Sequence, residues 1–251
     1  MGKTIVFVNQ KGGVGKTTSA INIGAYIAVA GKKVLLVDLD SQGNMSSGVG
    51  VGKDKPTVYE LLDGTCSAEE TIKHSAVKNL DVISASIALA DASIQLVDQE
   101  NREYFLKEAL APVKDKYDYI LIDCPPSLGL LTINGLVAAD EILVPMQCEY
   151  FALEGITLLL ETVRSVQENF NRELTIGGIF FTMYDSRTRL AQEVIMKVKS
   201  YFKEKVFNTI IPRNVRLSEA PSHGKPICLY DNNCVGAKSY QKLVEEVISR
   251  G

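Results

Sequence analysis

Seven apolar runs of strand length punctuate the chain, and they are almost continuously hydrophobic: "TIVFV", "KVLLVDLD", "LDVISA", "YDYILIDCP", "EILVPM", "LTIGGIFFT" and "VFNTIIP". A strand that is apolar on both faces needs cover on both faces, which is the condition of a parallel sheet between two helical layers. The intervening stretches are mostly amphipathic, among them Thr17–Ala30, with Gly31 placed to cap it, and Leu153–Asn169. Near Gly236–Arg250 the residues Ala237, Tyr240, Leu243, Val244, Val247 and Ile248 form one core-facing stripe. The expectation is an α/β fold, a mostly parallel twisted sheet with helices on both faces. At 251 residues and 46% hydrophobic content the whole chain, 1–251, can share one core and is expected to form a single domain.

Ligands of such sheets bind at the carboxyl ends of the strands, so the residues after the first run carry the most weight. There the chain reads "NQKGGVGKTT", Asn9 to Thr18, a strand passing through glycines to Lys-Thr and then a helix. Backbone N–H groups of Gly12, Gly13, Val14 and Gly15 and the helix start at Lys16–Thr18 suit phosphates. Lys16 is expected to reach the terminal phosphates of ATP, and the Thr17 hydroxyl to ligate Mg2+. The expected fold is therefore that of a P-loop NTPase. Gln10, however, stands where the usual G-x-x-x-x-G-K-[ST] pattern has its first glycine, and a second lysine, Lys11, follows it.

Two further segments supply carboxylates. In "LLVDLDSQGN" the strand alternation puts Asp38 and Asp40 on one face, where they can serve magnesium or an attacking water. In "YILIDCPPS" a buried strand delivers Asp123 toward the magnesium, through a water, in the manner of a Walker B acid. Pro125 and Pro126 then force the chain out of the sheet as a switch loop.

The pattern K-G-G-x-G-K-[ST], met by Lys11 to Thr17, resembles that of the deviant-Walker ATPases. This resemblance implies two subunits sandwiching two ATP molecules, with Lys11 crossing to the phosphates of the other subunit. It also implies that Asp40 orients the hydrolytic water. Ser41 replaces the family's usual proline, a change expected to loosen the switch loop Ser41–Gly52. The segments "NQKGGVGKTT", "DCPPSLGLLTIN", "QCEYFALEG" and "IPRNVRLSEAPSHGKPI" are similar to those of the ParA/Soj branch of DNA-partitioning ATPases, within the MinD/ParA superfamily, and the likeness runs from about residue 3 to residue 249. By that resemblance Pro212 and Asn214 lie against the adenine, and Arg187 and Arg216 line a DNA-binding surface. It further implies a weak ATPase, an ATP-dependent homodimer on nonspecific double-stranded DNA, and a ParB-type centromere-binding partner that stimulates hydrolysis.

Charge fits a local rather than a general nucleic-acid surface. The chain carries a net −3, yet between Phe180 and Lys225 nine Lys and Arg face four Asp and Glu, a local excess of five positive charges. No base-reading pattern accompanies them, so sequence-independent phosphate contact is expected. Nine residues before Gln10 leave no room for an N-terminal helix-turn-helix domain, and the mixed-charge ending "SYQKLVEEVISRG" does not suit membrane attachment. A cytoplasmic, nucleoid-associated protein is expected. The five cysteines, Cys66, Cys124, Cys148, Cys228 and Cys234, lack metal-site or disulfide spacing and are expected to be buried thiols.

Overall fold

In a computed structural model that describes residues 2–149 and 152–250, the apolar runs assemble into an eight-stranded sheet. Its strands are β1 (Lys3–Phe7), β2 (Val34–Asp38), β3 (Ile72–His74), β4 (Leu80–Ile83), β5 (Tyr119–Asp123), β6 (Glu141–Gln147), β7 (Thr175–Tyr184) and β8 (Val206–Pro212), in the order β3-β4-β2-β5-β1-β6-β7-β8. All pairings are parallel except that of β3 with β4. The short edge strand β3 is the one that the apolar pattern does not announce, because it is three residues long and only Ile72 in it is apolar.

Alternation along the strands feeds two separate cores. Val6, Leu35, Val37, Ile120 and Ile122 pack on one face, under the helices Leu130–Ala138, Ala152–Asn169 and Arg189–Phe202. Ile5, Phe7, Leu36 and Leu121 pack on the other, under Lys16–Val29 and Val235–Arg250. The stripe of the last helix is where the pattern puts it: Ala237, Tyr240, Leu243, Val244 and Val247 are buried, and Ile248 is partly so. Only Cys124 among the thiols is buried, the other four being half-buried, and all five are free. Tyr150 and Phe151 of "QCEYFALEG" lie outside the described residues. Among the described residues no helix is long and apolar enough to cross a membrane.

Two contacts join the last helix to the edge strand β8. The Glu246 carboxylate accepts the backbone N–H groups of Asn208 and Thr209 at 2.9 and 2.8 Å. The Arg250 guanidinium lies 4.0 Å from the ring centre of Phe207, and the edge of that ring is close against Gly178 of β7. A Cβ added at Gly178 would sit 2.1 Å from that ring. Because Phe207 is buried and its ring already touches Gly178, Gly178→Val is expected to cost about 2 kcal/mol or more by overpacking, read as a lowered denaturation midpoint at unchanged slope in urea.

Candidate functional site

The central strand β1 lies between β5 and β6, and the chain leaves it through Val8 and Asn9 into the glycine loop. Gly13 and Gly15 adopt φ of 73° and 85°, a left-handed backbone that a side chain would strain, and the helix Lys16–Val29 starts directly after. That helix has no acid in its first turn, so its positive end is left for an anion. The loop is braced from neighbouring strands. Gln147 Nε2 donates to the Gly13 carbonyl at 2.8 Å, Thr182 Oγ1 to the Val14 carbonyl at 2.8 Å, and Asn9 Nδ2 to the Pro145 carbonyl at 2.8 Å. With these carbonyls engaged from β6 and β7, the loop's amide side is left to a ligand.

Lys16 and Lys11 part company here. Lys16 is buried, its ammonium donating to the Lys11 carbonyl at 3.3 Å, whereas the Lys11 side chain is exposed at the rim and pairs with Glu149 of its own chain. Burial pulls the Lys16 ammonium below the usual lysine range, opposed mainly by Asp123. Thr17 and Thr18 are half-buried beside it.

Asp123 ends β5 with no solvent exposure, and neither carboxylate oxygen has a hydrogen-bond partner. Burial first and the neighbouring Asp38 second push its pKa well above the carboxylate range, against the pull of the Thr17 hydroxyl and Lys16. An orphaned acid beside a threonine hydroxyl is a donor set that fits magnesium, a hard cation that keeps several waters and takes phosphate oxygens. Among the described residues no three His, Cys, Asp or Glu side chains gather to hold a metal by themselves. The cation's remaining ligands therefore have to come from the nucleotide and from water.

Asp38 and Asp40 do not share a task. Asp38 is buried and engaged by Ser46, its Oδ2 accepting the Ser46 N–H and hydroxyl at 2.9 and 2.7 Å. Burial pushes its pKa up to about 6. Asp40 lies past the end of β2 and half-exposed, and its proximity to Lys16 leaves it as the acid available to the phosphate site. The segment Ser41–Gly52, expected to be loosened, instead contains the short helix Asn44–Gly48 and is pinned by Lys53 Nζ donating to the Gln42 carbonyl at 2.6 Å.

A cavity of about 210 Å³ opens beside the loop, lined by Gly15, Thr18, Pro212 and Asn214 among others. This places the two proposed adenine contacts next to the phosphate loop. Asn214 also caps the helix Val215–Glu219, accepting the Leu217 N–H at 3.3 Å. Arg187 and Arg216 follow β7 and β8 on the same side of the sheet, and both are exposed and paired with acids. Arg187 forks onto Asp185, with contacts of 2.9 and 2.6 Å, and Arg216 meets Glu219 at 2.9 Å and Asp231 at 3.5 Å.

A family profile described as an AAA domain matches residues 2–176. The chain is 64% identical to the chromosome-partitioning ATPase Soj of Treponema pallidum, over 100% of this chain and 98% of that one. This chain belongs to the Soj/ParA family of partitioning ATPases. It is also 56% identical to the sporulation initiation inhibitor protein Soj of Bacillus subtilis, over 100% of both chains. Among solved structures it resembles the cobyrinic acid a,c-diamide synthase of Mycobacterium smegmatis with bound ATP analogue and magnesium, at 36% identity and a TM-score of 0.88, covering 99% of this chain and 94% of that one.

The orphaned carboxylate gives the site its first test. Asp123→Asn removes a buried charge without changing volume, so the nucleotide-free protein is expected to melt no lower than wild type. The extra thermal stabilisation that magnesium adds to ATP should largely vanish. Differential scanning fluorimetry with ATP, with and without magnesium, reads both.

Proposed function

We propose that this chain is an ATP- and magnesium-dependent partitioning ATPase whose ATP-bound homodimer binds DNA without regard to sequence and leaves it after hydrolysis. The observation that carries the reading is the division between the lysines: Lys16 serves the chain's own phosphate loop from within, and Lys11 stands exposed at its rim with no task there. A second cation in that position suits the phosphates of a facing subunit, once Glu149 releases it. Thr17 and, through water, Asp123 hold the magnesium, Asp40 orients the attacking water, and Pro212 and Asn214 flank the base. Electrostatic stabilisation of the transferring phosphoryl group falls to Lys16, Lys11 and the metal.

The basic segment supports the DNA part. Arg187 and Arg216 lie on the side of the sheet that carries the nucleotide, so pairing two subunits there would bring two sets of cations together. Each guanidinium has to exchange its own carboxylates for DNA phosphates, which keeps the affinity of one subunit low. A ParB-type centromere-binding protein as partner, a nucleoid location and a single domain over the whole chain complete the proposal. A small-molecule synthetase is the second reading, favoured by the likeness to the Mycobacterium smegmatis enzyme. It predicts turnover that depends on an organic acid and is indifferent to DNA.

Three variants separate the steps. Lys11→Ala should bind ATP but not dimerise, Lys16→Ala should lose productive binding, and Asp40→Ala should bind ATP and accumulate as dimer. Light scattering coupled to size exclusion decides, and a dimeric Lys11→Ala would overturn the role of that lysine. If roughly four phosphates are neutralised, DNA affinity should fall by about two decades between 50 and 200 mM salt. Arg216→Glu and Arg187→Glu should weaken binding to two unrelated duplexes alike, by fluorescence anisotropy, while sparing dimerisation.

A further inference from the structure

The Asp38 carboxylate has a cost that its surroundings do not explain by fold alone. It is fully buried and pairs in register with Asp123 across β2 and β5, close enough to raise the energy of the Asp123 carboxylate. A buried acid held only by neutral donors contributes little to stability, and an amide would serve the same hydrogen bonds with less desolvation. Local rules broken in this way collect at functional positions.

The hydrogen bonds around Asp38 run in one direction. The Ala85 N–H donates to Ser46 Oγ at 3.1 Å, which orients the hydroxyl proton toward Asp38 Oδ2 at 2.7 Å. The Ser46 N–H donates to the same oxygen at 2.9 Å. The other oxygen, Oδ1, accepts the N–H of Asp40 at 3.1 Å. The Asp40 carboxylate in turn accepts the Gln42 N–H at 3.0 Å, and its carbonyl accepts the Gly43 N–H at 2.8 Å. The strand has ended at Asp38, so the Asp40 backbone is fixed by these local bonds and no longer by strand pairing on both sides.

We propose that Ser46 is a positioning residue for hydrolysis: by clamping the Asp38 carboxylate from the helix Asn44–Gly48, it sets the backbone of Asp40 and hence the direction of the acid at the attacking water. The inference rests on the assignment of Asp40 as the water-orienting residue. Ser46 itself is fully buried and does not line the cavity beside the phosphate loop. Its helix is seated where small shifts matter, since a Cβ on Gly48 would lie 2.6 Å from the Ile21 side chain and one on Gly50 would lie 2.8 Å from the Gly224 carbonyl oxygen. The clamp is therefore backed by the phosphate-loop helix on one side and by the segment following the base cavity on the other.

The test compares Asp40→Ala, Ser46→Ala and Ser46→Cys by single-turnover ATP hydrolysis and by the equilibrium affinity for ATP. Cysteine keeps the volume and replaces a strong donor by a weak one, so it reads out the hydroxyl even if alanine unfolds the site. Both Ser46 variants are expected to lose roughly tenfold in the hydrolysis rate, one decade of barrier, with ATP affinity within about twofold of wild type. An unchanged rate in Ser46→Cys, or a rate loss matched by an equal loss of ATP affinity, overturns the positioning role. The Asp40→Ala arm separates the two claims: if it hydrolyses normally the assignment of Asp40 fails, and if it is inactive while Ser46→Cys is normal only the clamp fails.

Discussion

An unpartnered, fully buried carboxylate at the end of β5 is the constraint around which the rest of this site is arranged. Asp123 sits beside a buried lysine, a second buried acid and a helix start without an acid in its first turn. Each of these features is unfavourable alone, because desolvation in the interior exceeds what imperfect pairing returns. On the proposed function they become complementary when a polyanion and a divalent cation enter together: phosphates would meet the lysine and the helix start, and the metal would meet the acid and the Thr17 hydroxyl. Burial of these groups without full pairing displaces the Lys16 and Asp123 pKa values in opposite directions.

Holding such groups in place requires a rigid frame, and the parallel sheet supplies it from several strands at once. The glycine loop follows β1, but its carbonyls are engaged by Gln147 at the end of β6 and Thr182 near the end of β7. Asp38 and Asp123 end the neighbouring strands β2 and β5 in register. The base cavity is closed by residues after β8. Five strand ends and one loop therefore share a few side-chain contacts, so the position of the loop is set by the whole sheet and not by its own flexible residues.

The apolar runs made the sheet legible because burial on both faces leaves an unbroken hydrophobic trace, as "YILI" does before Asp123. The strand Ile72–His74 left no such trace: it has one apolar residue, Ile72, followed by a half-buried Lys73 that donates to Ser84 Oγ and an exposed His74. The turn of the loop between Lys11 and Thr17 was legible because its backbone geometry is encoded by adjacent glycines, two of which, Gly13 and Gly15, take positive φ. Asp38 and Asp40 looked equivalent by alternation, and they differ because the strand stops between them and because Ser46, eight residues on, captures the first. Thr182 and Gln147 escaped notice for a related reason. They act on carbonyls more than a hundred residues away, and nothing near a lone threonine or glutamine in the chain points to such a partner.

The contact between Glu246 and β8 has a bearing on how copies of this chain can meet. A terminal parallel strand offers a row of amide donors to any extended peptide, and proteins that assemble and separate on a signal are exposed to irreversible cross-chain β-pairing there. Here one carboxylate from the last helix takes the donors of two successive residues, Asn208 and Thr209, and Arg250 lies over the adjacent Phe207. A strand seeking to extend the sheet at this rim would have to displace a charged group already hydrogen-bonded to the backbone. The rim is thereby made unattractive to ladder growth.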